Sequence, residues 1–213
     1  MIRLHYYPGN ASMAPHILLQ ELGVPFELVR VDREAAAHKS AAYLKLNPNG
    51  LIPVLEDGDQ VLYETAAILL HLADTHPEAV LAPGVGTPER AQYYKWMLWL
   101  SNTLQAMLIH YFYPDRMADD AVGAAAVKAH AEAAIGRMLD QLDAHLAAHQ
   151  GPWLLGTDYS AADALAFVLC RWTRGFARPA RSLPQLGAYL QRMLARPAVQ
   201  KVFAVEQPAM PAV

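Results

Sequence analysis

Apolar and polar residues alternate through Ile2–Tyr6 and loosely again through Phe26–Val31, while Leu51–Glu56 and Gln60–Leu62 are short apolar-rich runs of strand length. A period of two puts every second side chain on one face, and each stretch is predicted as a strand. Asp57-Gly58-Asp59 lies between the last two and predicts a tight turn. Between these strands the apolar spacing lengthens to three and four residues. It does so over Ser12–Leu22, which stops at Gly23, more weakly over Ala35–Leu46, and over Glu64–Thr75. The predicted order across residues 1–76 is β-α-β-α-β-β-α.

A break follows. Pro77, Pro83, Gly84, Gly86 and Pro88 crowd one short segment that cannot sustain a helix, so residues 77–88 are predicted as a linker. Beyond it helical spacing governs. Long helices are predicted over Glu89–Tyr113 and Asp120–His149, shorter ones over Ser160–Arg174 and Leu183–Leu194. A last turn over Ala198–Phe203 precedes a loose tail marked by Pro208 and Pro211. The chain therefore reads as a small α/β domain followed by an all-helical domain over residues 89–213.

Composition narrows the field. The chain has 213 residues, 54% hydrophobic and 17% charged, which predicts a folded globular protein. A net charge of -3 offers no basic field for nucleic acid, so a small partner is expected. The single cysteine, Cys170, excludes an intrachain disulfide, a CxxC redox pair and a cysteine zinc cluster, and it suits a reducing compartment. No apolar run is long enough for a membrane span, and the N-terminal apolar stretch is too short for a signal peptide. The expectation is a soluble, cytoplasmic protein without a metal.

Four stretches carry chemistry. Pro53 sits inside a strand pattern, where it removes a ladder donor. A cis Ile52–Pro53 bond would present the backbone of Val54 to a partner, although a trans bond is the ordinary case, since cis accounts for only about 5–6% of X–Pro bonds. Glu64 and Thr65 precede the first free N–H groups of the third helix. Thr65 could take a ligand carboxylate there and Glu64 an ammonium group, or the pair could simply cap the helix. Ser160-x-x-Asp163 is a capping box with Asp in place of the usual Glu; a catalytic Ser/Asp reading lacks a neighbouring histidine. The opening turn, Gly9-Asn10-Ala11-Ser12, passes from a strand to a helix, a common place to bind an anion.

The element order, "IPVLEDG", "ETAAILLHLAD" and the trailing helices resemble the cytosolic glutathione S-transferase family over essentially the whole chain. "LHYYPGNASMAPHILLQELG" looks most like the bacterial beta-type members. The resemblance implies a thioredoxin-like N-terminal domain, a helical domain carrying the electrophile site and dimer contacts, and a homodimer. It implies a cis Pro53, a Val54 backbone paired with the cysteinyl part of glutathione, and Glu64 and Thr65 on the γ-glutamyl end. His38 or Lys39, with Asn49 nearby, would meet the glycine carboxylate. Where beta-type proteins commonly carry a cysteine in the opening turn, this chain has Ala11. Mixed-disulfide chemistry is therefore not expected. Candidate donors to a glutathione thiolate are Ser12 first, Asn10 second and Tyr6 third, with helix capping as the alternative role of Ser12. Tyr6 and Tyr7 alternate faces, so only one can point to such a site.

The expected activity is conjugation of glutathione, as co-substrate, to hydrophobic electrophiles. Two other readings stand beside it: a glutathione or hydrophobic-ligand binding protein without turnover, and a glutathione-dependent peroxidase or isomerase. Trp96, Trp99, Asn102, Gln105, Leu108, Tyr111 and Tyr113 on the first long helix divide between core, dimer contact and electrophile pocket. Cys170, in an apolar helical run, is expected to be a buried structural thiol.

Overall fold

The computed structural model describes residues 1–149 and 151–213. The chain forms two compact units, Met1–Ala82 with Leu194–Ala212, and Pro83–Met193 with Val213.

The first unit holds β1 (Ile2–Tyr6), α1 (Met13–Leu22), β2 (Phe26–Arg30), α2 (Ala41–Leu46), β3 (Val54–Asp57), β4 (Gln60–Tyr63) and α3 (Thr65–Thr75). The four strands make one mixed sheet in the order β2-β1-β3-β4, with β1 parallel to β2 and both other pairings antiparallel. This is the thioredoxin-like arrangement. Leu4, Leu55, Ile17, Leu18, Ile68 and Leu69 are fully buried, because the period-two face of the sheet and the helical faces of α1 and α3 exclude water together.

Two predicted elements change shape. The stretch read as one helix over 35–46 divides into a 3-10 turn, Ala37–Lys39, and α2. Ser40 causes the division: its backbone is extended and its Oγ accepts the Tyr43 N–H at 3.2 Å, as an N-cap does. The third strand begins at Val54, not at Leu51, since Pro53 offers no ladder donor.

The second unit carries α4 (Pro88–Trp99), α5 (Ala106–Phe112), α6 (Ala121–Ala148), α7 (Ala161–Trp172) and α8 (Pro184–Leu194). The single helix expected over 89–113 is interrupted by a π-helical segment, Leu100–Gln105, between α4 and α5. Trp96, Leu100, Leu104 and Leu108 are buried, so these apolar positions are core. Tyr111 stacks on Phe176 with ring centroids 4.1 Å apart. Cys170 is fully buried and its thiol is pushed up to about 12 by that burial, which makes it an inert packing residue.

The sharpest correction concerns the C-terminus. The expected short turn is a full helix, α9 (Pro197–Glu206), and it packs against α1. In space the last helix groups with the sheet-containing unit. Arg196 fixes its start, donating from Nε and an Nη to the Glu21 carboxylate at 2.6 and 2.9 Å.

Candidate functional site

Strand register brings the candidate residues together. His5 pairs with Val54, and Val54 with Tyr63. The end of β1, the start of β3 and the end of β4 therefore lie side by side. Because β2 runs parallel to β1, with Tyr6 opposite Arg30, the chain also leaves β2 at this end. The opening turn, the segment holding His38 and Lys39, Pro53–Val54 and Glu64–Thr65 all emerge at one end of the sheet. The Ile52–Pro53 bond is cis, as the resemblance implied and the ordinary frequency of such bonds did not.

The turn after β1 is tightly tied. Gly9 has φ +70°, a conformation that a residue with a Cβ adopts only with strain. Asn10 N–H donates to the Tyr7 carbonyl at 3.2 Å, and Asn10 Oδ1 accepts the Ala11 N–H. With its carboxamide oxygen so held, the Nδ2 group points away from that amide. Ser12 is fully buried. Its Oγ–H donates to the Tyr7 carbonyl at 3.1 Å, and its oxygen accepts the Tyr7 N–H at 3.2 Å. It does not cap α1 through its side chain. The two tyrosines resolve as alternation requires: the Tyr6 ring meets His16 edge-on at 6.2 Å, while Arg33 stacks over Tyr7 at 5.3 Å.

Sequence reasoning missed what lies behind the turn. Gly9 N–H donates to Glu206 Oε2 at 2.8 Å, and His16 Nδ1 donates to Glu206 Oε1 at 2.8 Å. Both side chains of that His–Glu pair have no exposed surface. No local motif could reveal it, since the partners stand 190 residues apart. A polar histidine inside the apolar face of α1 was the one available signal.

Glu64 has φ +72° and ψ 114°, outside the regions open to ordinary side chains, and immediately precedes α3. Such a conformation costs about 1–3 kcal/mol. The Glu64 side chain makes no capping bond and is exposed, while Thr65 is buried at the first helical position. Plain capping by Glu64 is therefore excluded.

On the β2 side, Lys39 Nζ donates to the Asn49 carbonyl at 3.1 Å. Asn49 N–H is held by Asn47 Oδ1 at 3.0 Å. Gly50 makes the approach possible: a Cβ there would lie 2.8 Å from Lys39 Nζ and 2.9 Å from the His38 carbonyl oxygen. His38 is lowered below the usual histidine range, first by burial and then by Lys39 and Arg33, so it is neutral at pH 7. Lys39 and Arg33 both bring positive charge to this edge. Among the described residues no group of three or more His, Cys, Asp or Glu side chains could hold a metal ion. Among them also, no helix is long and apolar enough to cross a membrane.

In the helical unit, Ser160 and Asp163 form the predicted capping box at the start of α7. Asp163 is fully buried; Leu154 N–H, Ser160 N–H, Ser160 Oγ–H and Tyr189 O–H lie 2.8–3.1 Å from its carboxylate oxygens. These donors are structural groups, and among the described residues no histidine is bonded to Ser160 Oγ or to Asp163.

Comparison with known proteins agrees with this architecture. The family model for the glutathione S-transferase N-terminal domain matches residues 2–74, and that for the C-terminal domain matches residues 104–205. A glutathione S-transferase of Xanthomonas campestris pv. campestris is 34% identical over 208 residues, covering 96% of this chain and 98% of that protein. The structure of a glutathione transferase homologue from Sulfitobacter with bound glutathione superposes with a TM-score of 0.88 at 30% identity, covering 96% of this chain and 98% of the other. A bacterial beta class enzyme of Sphingomonas chungbukensis gives 0.84 at 32% identity, with 97% and 100% covered. The chain belongs to the glutathione S-transferase family.

Proposed function

We propose that this transferase conjugates glutathione to hydrophobic electrophiles, holding the thiol ionised beside the opening turn. The observation that carries the reading is the convergence at one sheet end of that turn, the Val54 backbone and the strained Glu64–Thr65 step. The N-terminus of α3, with the Thr65 hydroxyl and N–H, receives the γ-glutamyl carboxylate, and Glu64 takes the ammonium group. A strained Glu64 that caps nothing has a use in this arrangement, because its side chain is held clear of the helix end. Val54, with Pro53 before it, offers its backbone to the cysteinyl part. Lys39, set against Asn49, meets the glycine carboxylate, and neutral His38 adds no charge there.

A free thiol has a pKa of about 8.5, so lowering it by about two units requires roughly 2.7 kcal/mol of preference for the thiolate. Asn10 is the foremost donor, since its Nδ2 group is turned away from the backbone it binds. Ser12 ranks behind it, because its hydrogen already serves the Tyr7 carbonyl in a buried position. Tyr6 stands third, its ring engaged with His16. The thiolate sulfur attacks an electrophilic carbon, the C–S bond forms, and the leaving group departs with its electron pair. Action as a cytoplasmic homodimer belongs to the same reading.

The test is the ultraviolet absorbance of bound glutathione thiolate, followed from about pH 5 to 9 alongside turnover of a generic aryl halide. The expected thiol pKa lies near 6.5, about two units below the free value. Binding with an unshifted pKa and no turnover would replace conjugation by a ligand-holding role.

A further inference from the structure

The buried His16–Glu206 pair lies on the far side of the opening turn from solvent, and nothing in the conjugation chemistry requires it. Burying a carboxylate costs several kcal/mol unless its oxygens are satisfied. Here each oxygen has one strong donor: Oε1 takes His16 Nδ1–H from α1 and Oε2 takes Gly9 N–H from the turn. Hydrogen bonds to a charged acceptor are stronger than neutral ones. Glu206 is also the last residue of α9, because Gln207 adopts the left-handed conformation and ends the helix. Helix end, α1 and turn thus meet at one carboxylate.

We infer that Glu206 is a positioning residue for the thiolate site, clamping Gly9 from behind so that Asn10 is presented in one orientation. The clamp acts on the residue before Asn10, and Ser12 fixes the residues on the other side through Tyr7. Between these two anchors only Asn10 and Ala11 remain, and Asn10 Oδ1 already holds Ala11 N–H. A turn pinned at both ends keeps a hydrogen-bond donor aimed without loss of order at the moment of reaction. His16 sets the carboxylate's rotation, and its ring is wedged edge-on between Tyr6 at 6.2 Å and Phe26 at 5.7 Å. The inference rests on the conjugation reading for its catalytic part and on the two hydrogen bonds alone for its structural part.

Glu206→Gln tests it. The amide keeps the shape but not the charge: with its oxygen on Gly9 N–H, its NH2 faces His16 Nδ1, which must switch tautomer to accept, so both bonds lose their charge assistance. Amide hydrogen exchange at Gly9 is expected to quicken at least tenfold, with α3 and the sheet unaffected. The thiol pKa of bound glutathione is expected to rise by about one unit, and kcat to fall about tenfold with KM for the electrophile little changed. A role confined to holding α9 in place would lower Tm but leave the thiol pKa of the folded protein unmoved, and that result would overturn the proposal. Unchanged Gly9 exchange would overturn it as well. An unshifted thiol pKa in the unmodified protein would instead remove the conjugation reading and the catalytic part with it; quickened Gly9 exchange would still support the clamp. Should Glu206→Gln not fold, Glu206→Asp keeps the charge but is one methylene too short to reach both donors, and the same readouts apply. His16→Asn, whose Nδ2 can replace Nδ1, is expected to retain most of the clamp.

Discussion

Asp163→Ala is expected to lower the unfolding free energy by about 3 kcal/mol. The substitution strands the Leu154 and Ser160 N–H groups and the Ser160 hydroxyl in a fully buried site, and an unsatisfied buried donor costs about 1–3 kcal/mol. Tyr189 loses less, since its hydroxyl lies equally close, at 3.1 Å, to the Asp163 carbonyl. Urea melting at neutral pH measures the change, and a loss under about 1 kcal/mol would mean that the loop around Leu154 relaxes to solvent.

The same carboxyl gives stability a pH dependence of known sign. Burial raises its pKa from 3.8 to about 6, against the pull of its four donors. Between these values the folded chain holds the proton more tightly than the unfolded chain. The contribution is therefore complete below 3.8 and is lost as pH rises through about 6, amounting to about 3 kcal/mol at roughly 1.4 kcal/mol per pH unit. The stability advantage of the natural protein over Asp163→Asn should shrink by that amount between about pH 4 and 7. A difference that stays flat would place the carboxyl at its ordinary pKa.

The second large effect is on rate. Asn10→Ala should lower kcat/KM for aryl halide conjugation at least tenfold, equivalent to about 1.4 kcal/mol of transition-state stabilisation. Ser12→Ala should act mainly on stability, by about 1–2 kcal/mol, because the Tyr7 N–H loses its acceptor. Kinetics and melting of the two variants separate the roles. Full activity in Asn10→Ala with a rate collapse in Ser12→Ala would exchange the assignments.

Local pattern made most of the first unit legible. Strand alternation, the Asp57-Gly58-Asp59 turn and the helical spacing of α1 and α3 each act within a few residues, so they are written in neighbouring positions. Ser40 is a cap-forming residue type, but its position inside an apolar-spaced stretch hid the cap. The π segment at Leu100–Gln105 left no mark, because its residues fit either helical geometry and packing decides. The Ser12 hydroxyl shows the limit at the site. Sequence places it at the helix start, but only the fold of the turn shows that its hydrogen turns back to Tyr7. The Glu206 clamp depends on chain ends that meet in space, and no window of residues contains both.

That meeting of the ends has a consequence for synthesis. About 175 residues separate the end of α1 from the start of α9. At about 5–20 residues per second, a ribosome needs roughly 10–35 seconds to make them. Throughout that interval the nascent sheet unit lacks its last helix, and His16 has no carboxylate to meet. The turn after β1 is thus completed from behind only once translation has passed α9.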